Sequence, residues 1–408
     1  MLLNSPSPGD IVAVEPRLAP RGIGPWLMMR VLRNLVSGRI TIITPSGERF
    51  DHCATQPGPE ATMVIHNWRA ARRLLTGGDV GFAEGYIAGD WSSPDLVALI
   101  AVAAENVVHL QKVMDGFAPV RLFNRARHLF KPNSRAGSRR NIAFHYDLGN
   151  EFYRLWLDES MTYSSACAIT PGQSLEAAQR AKLERIAELL DLSGTEDVLE
   201  IGCGWGALAA HLAPMSHHVT GLTLSREQLA FANQSLATAG LSDRVDLRLQ
   251  DYRDTTEQFD RVVSIEMFEA VGEEYWPVYF EKLRARLRVG GTAVLQVITI
   301  REDRFEPYRN GSDFIQHYVF PGGMLPSPRI ITERAERVGL SLASVETFRD
   351  GYAATLAAWR RRFIAARPEI EAMGFDDKFH RMWVYYLSYC EAGFQTGTIN
   401  VGLYVLKG

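Results

Sequence analysis

The chain has 408 residues, of which 46% are hydrophobic, 22% charged and 10% aromatic. That composition excludes collagen-like, disordered and disulfide-scaffold classes, and the length suggests two packed units rather than one. The formal charge of −3 gives no reason to expect nucleic acid, yet it hides a division. Residues 1–140 hold 17 Lys/Arg against 11 Asp/Glu, and the remainder holds 27 against 36. A basic front and an acidic rear point to two tasks, the front suited to an anionic surface such as phospholipid.

Cys53, Cys167, Cys203 and Cys390 form no CxxC pair and no metal-ligand spacing, which fits a reduced, cytoplasmic protein with free thiols and no metal. The opening MLLNSPSPGDIVAVEPRLAP lacks the basic-then-apolar order of a signal peptide. Leu96 to Val108, the most apolar later stretch, is interrupted by Glu105 and Asn106 and is too short to span a bilayer.

In chain order, residues 22–36 predict a helix opening after Pro25, able to pack on its own unit or lie at a lipid interface. Residues 39–66 alternate apolar and polar around PSGE and QPGPE, which predicts a small antiparallel sheet. Asn67 to Leu75 reads as a helix, and GFAEGYIAGDW (81–91) as a compact segment punctuated by glycines. NRARHLFKPNSRAGSRR (124–140) is basic and broken by Pro, Gly and Ser, the natural linker between two units. Helices are then predicted at Leu175 to Leu190, Ala207 to Ala213, Arg226 to Ala239 and Tyr275 to Leu287. Strands are predicted at Asp197 to Ile201, His218 to Leu222, Val245 to Leu249, Arg261 to Ile265 and Thr292 to Thr299. This alternation gives an α/β doubly wound parallel sheet.

VLEIGCGWGALAA sets Gly202, Gly204 and Gly206 between a buried strand and a helix, where residues without Cβ let the backbone turn sharply and approach a ligand. Gly202, Gly204 and Ala207 also satisfy the dinucleotide fingerprint. Two features favour S-adenosylmethionine over NAD. Glu200 precedes the glycines, where an acid can engage a cationic amino group. The next strand ends VTGLTLS, with Thr223 and Ser225 but without the acid that a dinucleotide ribose takes. Asp251, after the third strand, falls near where an adenine would lie. Cys203 reads as a small residue beside the cofactor, and His217 and His218 carry no assigned chemistry.

With these residues go NIAFHYDLGNEFYRLWLDESMTYSSA (141–166), LEAAQRAKLERI (175–186), GLTLSREQ (221–228), SIEMFEAVG (264–272), HYVFPGGMLPS (317–327) and the tail from residue 381. Together they resemble the cyclopropane-fatty-acyl-phospholipid synthases and their mycolic-acid relatives, closely over 141–408 and more weakly at GFAEGYIAGDW. The resemblance implies a seven-stranded Rossmann-like methyltransferase domain at 141–408, a smaller α+β lipid-binding domain at 1–123 and the basic linker between them. It also implies peripheral attachment to the inner face of the cell membrane, a phospholipid substrate and, as often in large members that work on bilayers, a homodimer. The implied reaction is attack of a cis double bond on the sulfonium methyl, leaving a carbocation that loses a proton and closes a cyclopropane. An alternative with the same cofactor and substrate stops at a methyl-branched, still unsaturated chain.

The base implied by the resemblance is a bound bicarbonate held by a Glu, a His, a Tyr and backbone groups near a Cys. By position these correspond to Glu269, Gln296, Tyr352, Ile298 and Ser165. The family's Cys is thus Ser165, its His is Gln296, and the His after the Glu is Ala270. Serine and glutamine can still bond an anion, but the imidazoles are gone. For the cofactor, the resemblance assigns Tyr163 and Ser164 to the methionine end, Gly202 and Gly204 to its backbone, Thr223 and Gln228 to the ribose, and Gln250 and Asp251 to the adenine. Tyr318, Phe320, Tyr385, Tyr386 and Tyr389 are candidates for the acyl slot, the last three alternatively a helix's core face.

Overall fold

A computed structural model describes residues 23–114, 148–311 and 313–408. The predicted linker at 124–140 and residues 145–147 of HYDLGN lie outside the described residues. The N-terminal part opens with helix α1 (Ile23–Leu32) and builds a four-stranded sheet from β1 (Ser37–Ile43), β2 (Arg49–Cys53), β3 (Gln56–Ile65) and β4 (Trp91–Ser92). Strand order is β2-β1-β3-β4. The expectation of an antiparallel sheet needs correction, because β1 and β3 run parallel while the other two pairings are antiparallel. The turn at PSGE folds β2 back along one edge of β1, and β3 then reverses again to take the other edge.

Helix α2 runs from Arg69 to Ile87 and joins the predicted helix and the glycine-punctuated segment into one element. It breaks only at Gly78, whose φ of 60 and ψ of −134 suit glycine alone. Arg69 and Arg73 both pair with the buried Asp90 and tie the helix to the chain beyond it. Helices α3 (Leu96–Glu105) and α4 (Val107–Met114) follow, separated at Asn106, whose side chain bonds the backbone of Val36 and Ser37.

The C-terminal part is a seven-stranded sheet, order β10-β11-β9-β8-β5-β6-β7. Its parallel portion comprises β5 (Asp197–Ile201), β6 (His218–Thr223), β7 (Val245–Leu249), β8 (Phe259–Ile265) and β9 (Leu287–Ile300). Antiparallel β10 (Ser341–Thr347) and β11 (Ile399–Lys407) complete it. The strand order reverses beside β5, which places the glycine turn at the topological switch point where such sheets bind ligands.

Three further helices shape the site. In α5 (Leu175–Leu190) the side chain of Ser174 caps the start by accepting from the Ala177 N–H. Beyond β10 come α6 (Arg349–Ala365) and α7 (Asp377–Gln395), which pack on each other. Helix α7 also packs on α2 and α3 of the N-terminal part. There Arg381 donates to the carbonyls of Tyr86 and Trp91 and lies 4.3 Å from the Tyr86 ring centroid. One apolar cluster runs through this junction, from Met28 and Leu99 to Trp156 and Tyr386.

Candidate active site

After β5 the chain turns through Gly202, Gly204 and Gly206, with φ of 86, 52 and 85. The N–H groups of Gly202 and Cys203 both donate to the Leu222 carbonyl, latching the turn to β6. A Cβ at Gly204 would meet nothing within 4 Å, whereas one at Gly202 would lie 3.0 Å from Met267. Both line the cavity, Gly204 beside open space and Gly202 pressed against Met267. Gly206 stands behind them as the cap of the next helix, against Ala232, and is not part of the cavity wall.

The remaining cofactor candidates gather around this turn. The Thr223 hydroxyl donates to Gln228 Oε1 at 3.0 Å, and Gln250 lies beside them on the cavity wall. Asp251 lines the same cavity, and its carboxylate is engaged in a two-point buried pair with Arg253, at 2.9 and 2.6 Å. Any hydrogen bond to an adenine has to share that carboxylate. Opposite the turn, the Tyr163 and Tyr386 hydroxyls meet at 2.8 Å, and Ser164 Oγ accepts from Lys182 Nζ at 2.7 Å.

Lys182 was not among the sequence candidates, because α5 reads simply as a run of good helix formers. It is fully buried, and burial pulls its ammonium down to about 8 against the opposing field of Glu266 and other carboxyls. Glu200 is also buried, and its Oε2 has no hydrogen-bond partner. Burial pushes its carboxyl up to about 8, with the Lys182 charge opposing. A buried acid with an unused oxygen beside the glycine turn fits a ligand that brings its own ammonium.

The acid cluster differs from expectation. Glu269 is present, its Oε1 accepting from the Ile298 N–H, while its Oε2 is sealed from solvent without a partner. Burial, and secondarily the nearby Glu266, pushes it up to about 8. Tyr352, however, donates to Glu266 rather than to Glu269, at 2.5 Å. Glu266 Oε1 also accepts from the Ser165 N–H at 2.8 Å and from Gln296 Nε2 at 2.7 Å. Ser165 and Gln296 are fully buried behind Glu266 and do not reach the cavity, and the Ser165 hydroxyl is turned to the Ala166 carbonyl. Both therefore bond the Glu266 carboxylate, which stands between them and the cavity. The signal for Glu266 lay in the sequence: SIEMFEAVG carries two acids three positions apart, and only the second was matched.

These groups line one cavity of about 1590 Å³, larger than the roughly 300–1,000 Å³ of most small-molecule sites. It continues past Tyr385, Tyr386, Tyr389 and Phe320 into the N-terminal part, between Leu32, Ile42, Met63, Phe82, Leu99 and Ala103. Tyr318 lies outside its wall, and its hydroxyl bonds Glu84 at 2.7 Å. Glycine cradle, buried acids and a long apolar bore in one space define an S-adenosylmethionine-dependent methyltransferase acting on lipids.

Residues 133–403 match the family described as mycolic acid cyclopropane synthetase, and the chain belongs to that family. It is 41% identical to tuberculostearic acid methyltransferase UfaA1 of Mycobacterium tuberculosis, over 83% of this chain and 82% of that one. It is 36% identical to the cyclopropane-fatty-acyl-phospholipid synthase of Escherichia coli K12, over 84% and 86% respectively. Among solved structures it is similar to mycolic acid cyclopropane synthase CmaA1 in complex with SAH and CTAB. That likeness has a TM-score of 0.62 and 29% identity, over 68% of this chain and 99% of that one.

Proposed function

We propose that the protein methylates the cis double bond of an unsaturated acyl chain carried by membrane phospholipid, yielding a methyl-branched, still unsaturated chain through a carbocation. The observation that carries this reading is the cavity of about 1590 Å³, which joins the glycine turn to a mostly apolar lining that reaches into the N-terminal part. S-adenosylmethionine supplies the electrophilic methyl group. Glu200 would receive its ammonium, Gly202 and Gly204 admit its backbone, and Thr223 and Gln228 would meet the ribose, with Gln250 and Asp251 near the adenine. Tyr163 and Ser164 close the methionine end.

The bore walls keep water from the cation, and the faces of Tyr163, Tyr352 and Tyr386 can stabilise it without trapping it covalently. The N-terminal unit to residue 123, with the basic linker 124–140, is the part proposed to meet anionic head groups peripherally. No described helix is long and apolar enough to cross a membrane.

The branched product is favoured over the ring because the family's thiol and two imidazoles are replaced at Ser165, Ala270 and Gln296, which removes a possible proton relay. The 41% identical relative is, moreover, named for a methyl transfer. Ring closure is the competing outcome, supported by the relative named a cyclopropane synthase. The test is expression in a host that makes monounsaturated phospholipids but neither rings nor branches. Mass spectrometry of the fatty acid methyl esters should show chains heavier by one methylene unit. Mild hydrogenation should then reduce the new product. A product that resists hydrogenation is a cyclopropane and overturns the branched assignment.

A further inference from the structure

Four of the donors expected to hold a bicarbonate are occupied by this chain's own carboxyls. The Ser165 N–H, the Gln296 amide and the Tyr352 hydroxyl bond Glu266, and the Ile298 N–H bonds Glu269. The ammonium of Lys182 donates to Ser164. An added anion would face two carboxyl groups and find those four donors taken, so the residues present do not fit bicarbonate.

We infer that the Glu266 carboxylate stands in place of that anion and is the catalytic base, receiving the proton lost by the methylated chain. The inference rests on the proposed methylation. The alkene π pair forms the new C–CH₃ bond, and the C–S pair leaves with sulfur as S-adenosylhomocysteine. A C–H bond next to the cationic carbon then breaks. Its pair becomes the new C=C bond, and its proton goes to a Glu266 oxygen.

Geometry equips Glu266 for this. It follows β8 directly, its N–H bonds the Gln296 carbonyl at 2.8 Å, and its φ of 48 turns the side chain out of the sheet's alternation onto the cavity wall. Three donors hold both carboxylate oxygens, an arrangement that stabilises the ionised form, while Glu269 has one bonded oxygen and one bare one. Two carboxyls this close do not both ionise readily. Burial raises both, and the hydrogen bonds from Tyr352, Ser165 and Gln296 oppose that rise at Glu266, where Glu269 has only backbone donors to do so.

The test uses the full-length protein, unsaturated phospholipid vesicles, and buffer purged of CO₂ or supplemented with bicarbonate. Wild-type turnover should not respond to bicarbonate. Glu266→Gln should lose on the order of 100-fold or more with S-adenosylhomocysteine affinity retained. Glu266→Gly, relaxed at a positive φ, should be as slow but should regain rate saturably with bicarbonate or formate. Independently of turnover, ¹³C-labelled bicarbonate should broaden in NMR with Glu266→Gly and not with wild type.

A wild type that needs or binds bicarbonate overturns the inference, as does Glu266→Gln within a few-fold of wild type or Glu266→Gly without rescue or binding. A wild type that methylates no lipid, yet shows the expected NMR contrast, overturns the proposed reaction and leaves the occupied anion site standing.

Discussion

Glu200 and Glu269 are each raised from an ordinary 4.5 to about 8 by burial, and this links folding to pH. Unfolded, both titrate near their ordinary value. Folded, they hold protons to higher pH, so their contribution to stability is complete at low pH and is lost as pH rises from about 4.5 toward 8. Lys182, lowered from 10.5 to about 8, acts above that window and does not offset the loss. Glu200→Gln should therefore flatten the fall in Tm of the cofactor-free protein between about pH 6.5 and 8. Parallel curves for variant and wild type would refute this. Replacing Lys182 by Met conserves volume but leaves the buried Glu266 carboxylate without its cation and Ser164 without its donor, so Tm should fall. The same change strips Glu266 and Glu200 of their cation, and turnover should drop about tenfold or more. Calorimetry with lipid assays reads both, and an unchanged Tm with full activity would contradict the prediction.

The elements around the site were readable from the sequence where local pattern decides them, and unreadable where distant partners do. Helix α5 and strands β5 and β7 begin and end where apolar periodicity and turn residues place them. The parallel pairing of β1 with β3 depends on which strand edge is free after β2 folds back, and no local signal carries that. The cofactor turn was evident because three glycines at positive φ leave a spacing mark. Glu266 was not, because its role comes from Ser165, Gln296 and Tyr352 arriving from three separate elements. The loss of two imidazoles and a thiol was visible; the carboxylate that fills the gap is seen only in three dimensions. Gly351 makes a related point. A Cβ there would lie 2.2 Å from the Cys167 carbonyl, so α6 can approach the 163–167 segment only as glycine. Gly351→Ala should displace the neighbouring Tyr352 and lower turnover about tenfold or more, more than it lowers cofactor affinity. Equal losses in both would show a general collapse instead.

The bore crosses from the parallel sheet into the N-terminal layers, so accepted chain length is a property of both parts. Ala103, on the N-terminal wall, is a place to shorten it. Ala103→Phe should shift methylation toward shorter acyl chains in a mixed phospholipid pool, read as the product distribution by mass spectrometry. An unchanged distribution would mean that the substrate does not reach this far. The apolar cluster that runs unbroken from Met28 and Leu99 to Tyr386 has a consequence for how the chain comes apart. Neither part can shed its partner without exposing that cluster to water, and Arg381 pins the seam. Two building units should thus behave as one cooperative body, with a single calorimetric transition whose van't Hoff and calorimetric enthalpies agree.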